Sequence, residues 1–175
     1  IHIFSTPFDP TSVDFLEDLG APAYKVASFE MTDLRLIRKI AATGKPMIIS
    51  TGMGSVAEVA QAVETARAAG AKDIIVLKCT STYPATPANS HLVTIPNMRD
   101  TFDCAIGLSD HTLGCGVAVS AVALGAPLIE KHFTLARADG GVDSAFSMEP
   151  AEWRMMREEC DRGWQAMGKI TYGGT

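Results

Sequence analysis

No apolar run in this chain reaches the roughly 18 residues that a membrane span needs. No cluster of Lys and Arg stands along it. The 15 basic residues are outnumbered by 20 acidic ones, for a net charge of −5. A nucleic-acid partner is therefore not expected. No glycine-rich dinucleotide turn follows any apolar run, since Ser50-Thr-Gly-Met-Gly54 lacks the spacing. Cysteine is scarce: Cys79, Cys104, Cys115 and Cys160 have neither metal-site nor disulfide-framework spacing. They read as reduced thiols. With no signal peptide recognised, the expected compartment is the cytoplasm, without membrane attachment.

The 175 residues suffice for one domain with a real core, and 47% apolar with 20% charged residues is the balance of a soluble globular protein. Short apolar runs ending in small polar residues recur at 1–6, 24–28, 47–51, 74–80, 105–109 and 128–134. They are apolar throughout rather than alternating, as in parallel strands covered on both faces. Helical patterns separate them. Asp9 and Pro10 open a helix over 10–19, and Leu34, Ile37 and Ile40 share one face over 33–42. Ser55 and Glu58 form a capping box for 55–69, and 114–124 is small and apolar. The pattern at 150–167 is amphipathic, with Trp153, Met156, Cys160, Trp164 and Met167 on one stripe read as core. The exception is 81–102, marked by Pro84, Pro87 and Pro96, with a short helical piece near 97–101; such a loop is read as functional.

Alternating strand and helix units predict a parallel sheet, either doubly wound or a TIM barrel. Polar residues at the end of every strand, rather than at one switch point, favour the barrel. About six βα units are read where a (β/α)8 barrel needs eight. Residues 1–175 are thus expected to be a partial barrel domain, an excerpt from a longer protein lacking two N-terminal strands.

Two strand ends carry histidines, His111 in Gly107-Leu-Ser-Asp-His-Thr112 and His132 in Glu130-Lys-His-Phe-Thr134. If the strands are parallel neighbours, the imidazoles lie side by side as a candidate metal pair. The alternative is two partly buried histidines satisfied by hydrogen bonds. Lys25 sits inside an apolar strand and needs an anionic partner. Thr6, Ser28, Ser50, Ser81 and Ser109 at successive strand ends supply donors for the same anion, or else cap strands. Lys78 and Lys131 sit in similar places, as alternative ligands of that anion or ion-paired with Glu130 or Asp110. Asp110 and Glu130 are also candidates to orient the histidines. His2 and His91 carry no supporting motif.

The chain resembles the sialic acid synthase family, which condenses phosphoenolpyruvate with an amino-sugar aldehyde. The resemblance rests on Ser5-Thr-Pro-Phe8, Tyr24-Lys-Val-Ala-Ser-Phe-Glu30, Ser50-Thr-Gly-Met53, Lys78-Cys-Thr-Ser-Thr-Tyr-Pro84, 107–112, Glu130-Lys-His-Phe-Thr134 and 140–150, in the family's order. Ala27-Ser-Phe-Glu30, Cys79-Thr-Ser81 and Asp143-Ser-Ala-Phe-Ser147 look most like the pseudaminic acid synthase branch.

The resemblance implies a divalent ion, Mn²⁺ with Mg²⁺ or Co²⁺ as alternatives, held by His111 and His132. It implies a phosphoenolpyruvate cradle of Thr6, Lys25, Ser28, Ser50, Ser81 and Ser109, and sugar contacts from Glu30, Tyr83 and Asp143. Glu30, His111 and His132 are the catalytic candidates. It also implies a homodimer for the full-length protein, with two further N-terminal strands and a C-terminal antifreeze-like domain that this chain lacks. For Tyr83 the alternative is loop packing, and for Glu30 the start of a helix. Other functional readings are an N-acetylneuraminate synthase, a Schiff-base aldolase using Lys25, Lys78 or Lys131, and a non-catalytic structural or oligomerising piece.

Overall fold

The computed structural model describes residues 1–173. Five parallel strands form one sheet in chain order: β1 (Tyr24–Val26), β2 (Met47–Ser50), β3 (Ile74–Cys79), β4 (Ala105–Asp110) and β5 (Ile129–Lys131). A doubly wound sheet reverses its strand order at a switch point; this one does not. With right-handed crossovers, an unbroken order puts every connecting helix on the same face, the arrangement of a curled half-barrel.

The helices are α1 (Pro10–Asp18), α2 (Leu34–Ala41), α3 (Val56–Ala68), α4 (Thr94–Phe102), α5 (Gly116–Ala123) and α6 (Pro150–Met167). Their starts follow from local chemistry. The Asp9 carboxylate accepts from the Ser12 N–H, Asp33 from Arg35 and Leu36, and Ser55 and Glu58 close a reciprocal capping box. Period-two alternation sorts the strand residues. Tyr24, Val26, Met47, Ile49, Ile74, Val76, Ile106 and Leu108 pack with the helices as the main core. The intervening residues Lys25, Ser50, Cys79, Ser109 and Glu130 belong to the other face. Among the described residues, no helix is long and apolar enough to cross a membrane.

Three expectations change. Residues 1–6 are not a strand of the sheet: Ser5 alone bridges Tyr24, and Ile1, Ile3 and Phe4 are exposed. Apolar composition without a ladder partner does not make a strand. The stripe on α6 is core only at its start. Met156 is buried, whereas Trp164 and Met167 are 63% and 54% exposed because α5 covers only the first part of the helix. Finally, the long loop after β3 is largely structured: a 3₁₀ turn at Pro87–Asn89 leads into α4, which starts earlier than expected and takes Pro96 into its first turn.

Candidate active site

At the C-terminal ends of the strands the non-helix face gathers the polar residues. The β4–β5 register fixes its centre. Ser109 lies opposite Glu130 and Asp110 opposite Lys131, so His111 and His132 are the next residues on each strand. Their rings are 5.3 Å apart, centroid to centroid. His111 Nδ1 donates to the carbonyl of Thr80 at 2.9 Å, since a carbonyl can only accept. His132 Nδ1 is 3.6 Å from the Asp143 carboxylate, within ion-pair range but too long for a hydrogen bond. Burial, and next the proximity of His111, hold His132 below the ordinary histidine range. Burial alone would lower His111, but bonds to Cys79 and the Thr80 carbonyl outweigh it and the net direction is up.

Two loops roof the histidines. The segment after β3 docks on the end of β4 through the Ala85 N–H to the His111 carbonyl, 2.9 Å. This lays Tyr83 over His111, ring centroids 4.2 Å apart. The segment before α6 docks on the end of β5 through the Met148 N–H to the His132 carbonyl, 2.9 Å. That brings Phe146 to 5.2 Å from His132 and 6.0 Å from Tyr83. Phe146 belongs to Asp143-Ser-Ala-Phe-Ser147, but nothing in its spacing marks it as a wall of the site.

Beside the histidines lies the cationic part. Lys25 Nζ is 3.4 Å from Glu130 Oε2, and the Ser109 hydroxyl donates to Glu130 Oε1 at 2.7 Å. Glu130, read from the sequence only as a support for the histidines or a partner for Lys78 or Lys131, instead occupies the predicted cradle. Ser50 Oγ is buried with no hydrogen-bond partner, and so is Glu30 Oε2. Ser28 accepts from the Gly52 N–H at 2.9 Å. A Cβ on Gly52 would lie 2.0 Å from Ser81 Oγ, 2.9 Å from Ser28 Oγ and 3.1 Å from Cys79 Sγ. Gly52, past the end of β2, is therefore the gap into which residues from the ends of β1 and β3 converge. Cys79 was missed because it had no cysteine partner in the sequence. Burial pushes its thiol up, but contacts with His111 and Ser28 outweigh this and lower it.

Thr6 follows the single bridge at Ser5, beside Lys25. Asp110 does not touch either histidine. It faces the helices, where it accepts from Lys131 Nζ at 2.7 Å and from the Thr112 N–H and hydroxyl. Lys78 also faces the helices. Only Lys25 of the three lysines is in the site. Among the described residues, no group of three or more His, Cys, Asp or Glu side chains is placed to hold a metal ion.

Comparison with known proteins places this geometry in context. The chain is 41% identical over 170 residues to the N,N'-diacetyllegionaminic acid synthase of Campylobacter jejuni, covering 96% of this chain and 51% of that protein. It is 40% identical over 169 residues to the pseudaminic acid synthase of Helicobacter pylori, covering 97% and 50%. The chain thus spans about half the length of these curated relatives. The crystal structure of the N-acetylneuraminic acid synthetase of Leptospira borgpetersenii, solved in complex with citrate, superposes with a TM-score of 0.94 at 31% identity. That match covers 100% of this chain and 61% of that one. The NeuB family profile matches residues 1–172, and the chain belongs to that family.

Proposed function

We propose that this chain carries the substrate-facing half of a nonulosonic acid synthase barrel, which condenses phosphoenolpyruvate with an N-acetylated amino-sugar aldehyde. The observation that carries the reading is the buried, unpartnered Ser50 hydroxyl on the same face as Lys25, Ser109 and the His111–His132 pair. An unsatisfied buried donor beside a buried cation is a place prepared for an anion. Thr6, Ser28 and Ser81 complete that cradle. Lys25 offsets the phosphate or carboxylate charge. Glu130 neutralises Lys25 and accepts from Ser109, so it shares these two groups with the anion.

The histidines fit the first two ligands of a borderline divalent ion. Their ring nitrogens are imidazole donors, and the Thr80 carbonyl fixes the tautomer of His111. Such an ion, Mn²⁺ in our reading, supplies polarisation of the sugar aldehyde. In the reaction, C3 of the enolpyruvate bonds to the aldehyde carbon, water adds at C2, and the C2–O bond to phosphate breaks. Phosphoenolpyruvate, aldehyde and water thus give the nonulosonate and inorganic phosphate. Glu30, with one carboxylate oxygen buried and unpartnered, and Asp143 accept from acceptor hydroxyl and amide groups. Tyr83 and Phe146 exclude water above the histidines.

The relatives do not separate the products, since the legionaminic and pseudaminic enzymes are equally similar. The Asp143-Ser-Ala-Phe-Ser147 and Cys79-Thr-Ser81 segments favour the pseudaminic product. Phosphate release by the full-length protein tests this: 2,4-diacetamido-trideoxy-altrose is expected to be turned over far faster than N-acetylmannosamine. His111→Ala and His132→Ala are each expected to abolish metal binding and turnover while leaving the circular dichroism spectrum unchanged. Near-normal turnover in either variant removes the metal assignment. A borohydride-trapped adduct at Lys25 would instead establish the Schiff-base aldolase.

A further inference from the structure

Three lysines are more than nine-tenths buried: Lys25, Lys78 and Lys131, at 9%, 8% and 9% exposure. A buried ammonium needs an anion near it. Lys25 has Glu130 and Lys131 has Asp110. Lys78 has neither. Its Nζ donates to the Thr80 hydroxyl at 2.6 Å, and that hydroxyl in turn donates to the Asn89 carbonyl. Among the described residues, Lys78 has no carboxylate in ion-pair range.

Alternation along β3 sends Lys78 the opposite way from Cys79, to the helix side of the sheet. There it lines a cavity of about 210 Å³ between the β2–α3 turn and α4. The polar lining includes Thr51, Cys79, Thr94, Asn97 and Thr101, and holds no Asp or Glu. The Thr51 and Thr101 hydroxyls are already donating to the carbonyls of Leu77 and Asn97. Thr94 and Asn97, one turn apart at the start of α4, remain as neutral donors. No side chain caps that helix start, so its positive end is not offset locally.

We propose that this cavity is a second anion site, taking a small oxyanion of the phosphate or short-carboxylate class against Lys78, with Asn97 and Thr94 as supporting donors. The cavity borders the histidine site, since Gly52 and Cys79 line it too, but Lys78 enters it from the helix side of β3. It does not depend on the catalytic reading. Burial holds the Lys78 amine below the ordinary lysine range, and an anion beside it would favour the charged form.

The test uses the full-length protein with inorganic phosphate and, separately, malonate, read by calorimetric titration. Lys25→Met removes the cation of the other face, so binding that survives it reports on Lys78. Saturable binding of either anion is expected in Lys25→Met. It is expected to weaken at least tenfold in Lys25→Met/Lys78→Met and to be retained within a few-fold in Lys25→Met/Lys78→Arg. Lys78→Gln serves if the methionine variant does not fold. A Lys78-dependent response to phosphate alone or to malonate alone supports the site and names its ligand. No Lys78-dependent response to either, in folded protein, overturns it.

Discussion

A buried hydroxyl without a partner costs about 1–3 kcal/mol, and Ser50 is such a hydroxyl. That cost makes an opposed prediction possible. Ser50→Ala should leave the melting temperature unchanged or higher, because the unsatisfied group is gone. If the proposed function holds, the substitution should also raise the KM for phosphoenolpyruvate about tenfold in the full-length protein, the worth of one charge-assisted hydrogen bond. A thermal melt and a KM measured on one preparation decide it; a lower melting temperature with unchanged KM would make Ser50 structural. Gly52 works through space. Alanine there would put a Cβ 2.0 Å from Ser81 Oγ, so Ser81 must move. Gly52→Ala is expected to cut turnover about 100-fold, the cost of a roughly 1 Å misplacement, with the fold retained by circular dichroism. That Lys25, the strand-end hydroxyls and the histidines would gather at one end of the sheet was legible from residue type and position. Gly52, Glu130 and Phe146 were not, because their roles exist only once neighbouring strand ends and a distant loop meet.

Among the elements, the β4–β5 pair sets the site. Its last registered pair is Asp110 with Lys131, an ion pair of 2.7 Å whose side chains are 1% and 2% exposed. Lys131 also donates to the Thr112 carbonyl, and Asp110 holds the Thr112 N–H and hydroxyl. This lock lies on the helix side, so the following residue of each strand, a histidine, returns to the other side. Lys131→Met would strand a buried carboxylate, at a cost of about 3–5 kcal/mol. The melting temperature should fall on the order of 10 °C. Asp110→Leu with Lys131→Met should recover most of that loss, since a buried pair replaced by apolar groups is often neutral; melts of the two variants check it. From sequence, this lysine and aspartate were ambiguous because alternation had no origin until the register was known. Helix starts were legible because a cap is local, as Ser55 and Glu58 show. The end of β5 was not. The expected strand over 128–134 stops at Lys131, and residues 132–134 pair with Met148 of a loop instead.

At the scale of the molecule, the barrel-like order was readable from unalternating apolar runs with polar ends, but the strand count was not, since residues 1–4 are as apolar as a strand and still find no ladder. The sheet keeps exposed flanks. Among the described residues, β5 pairs with β4 alone, and an open strand edge is a template for further pairing. Next to it, α5, α6 and β5 frame a groove of about 520 Å³ lined by Trp153, Met156 and Trp164. Trp164 is 63% exposed on the stripe that α5 stops covering. An edge and an apolar groove side by side favour association. The 175-residue chain is expected to show a mass that rises with concentration across the micromolar range by light scattering. Trp164→Glu should lower that mass while moving the melting temperature little, because an exposed side chain carries within about 0.5 kcal/mol of stability. A monomer at every concentration, or a Trp164→Glu variant that still associates as the parent does, would show that this flank is not what the molecule covers.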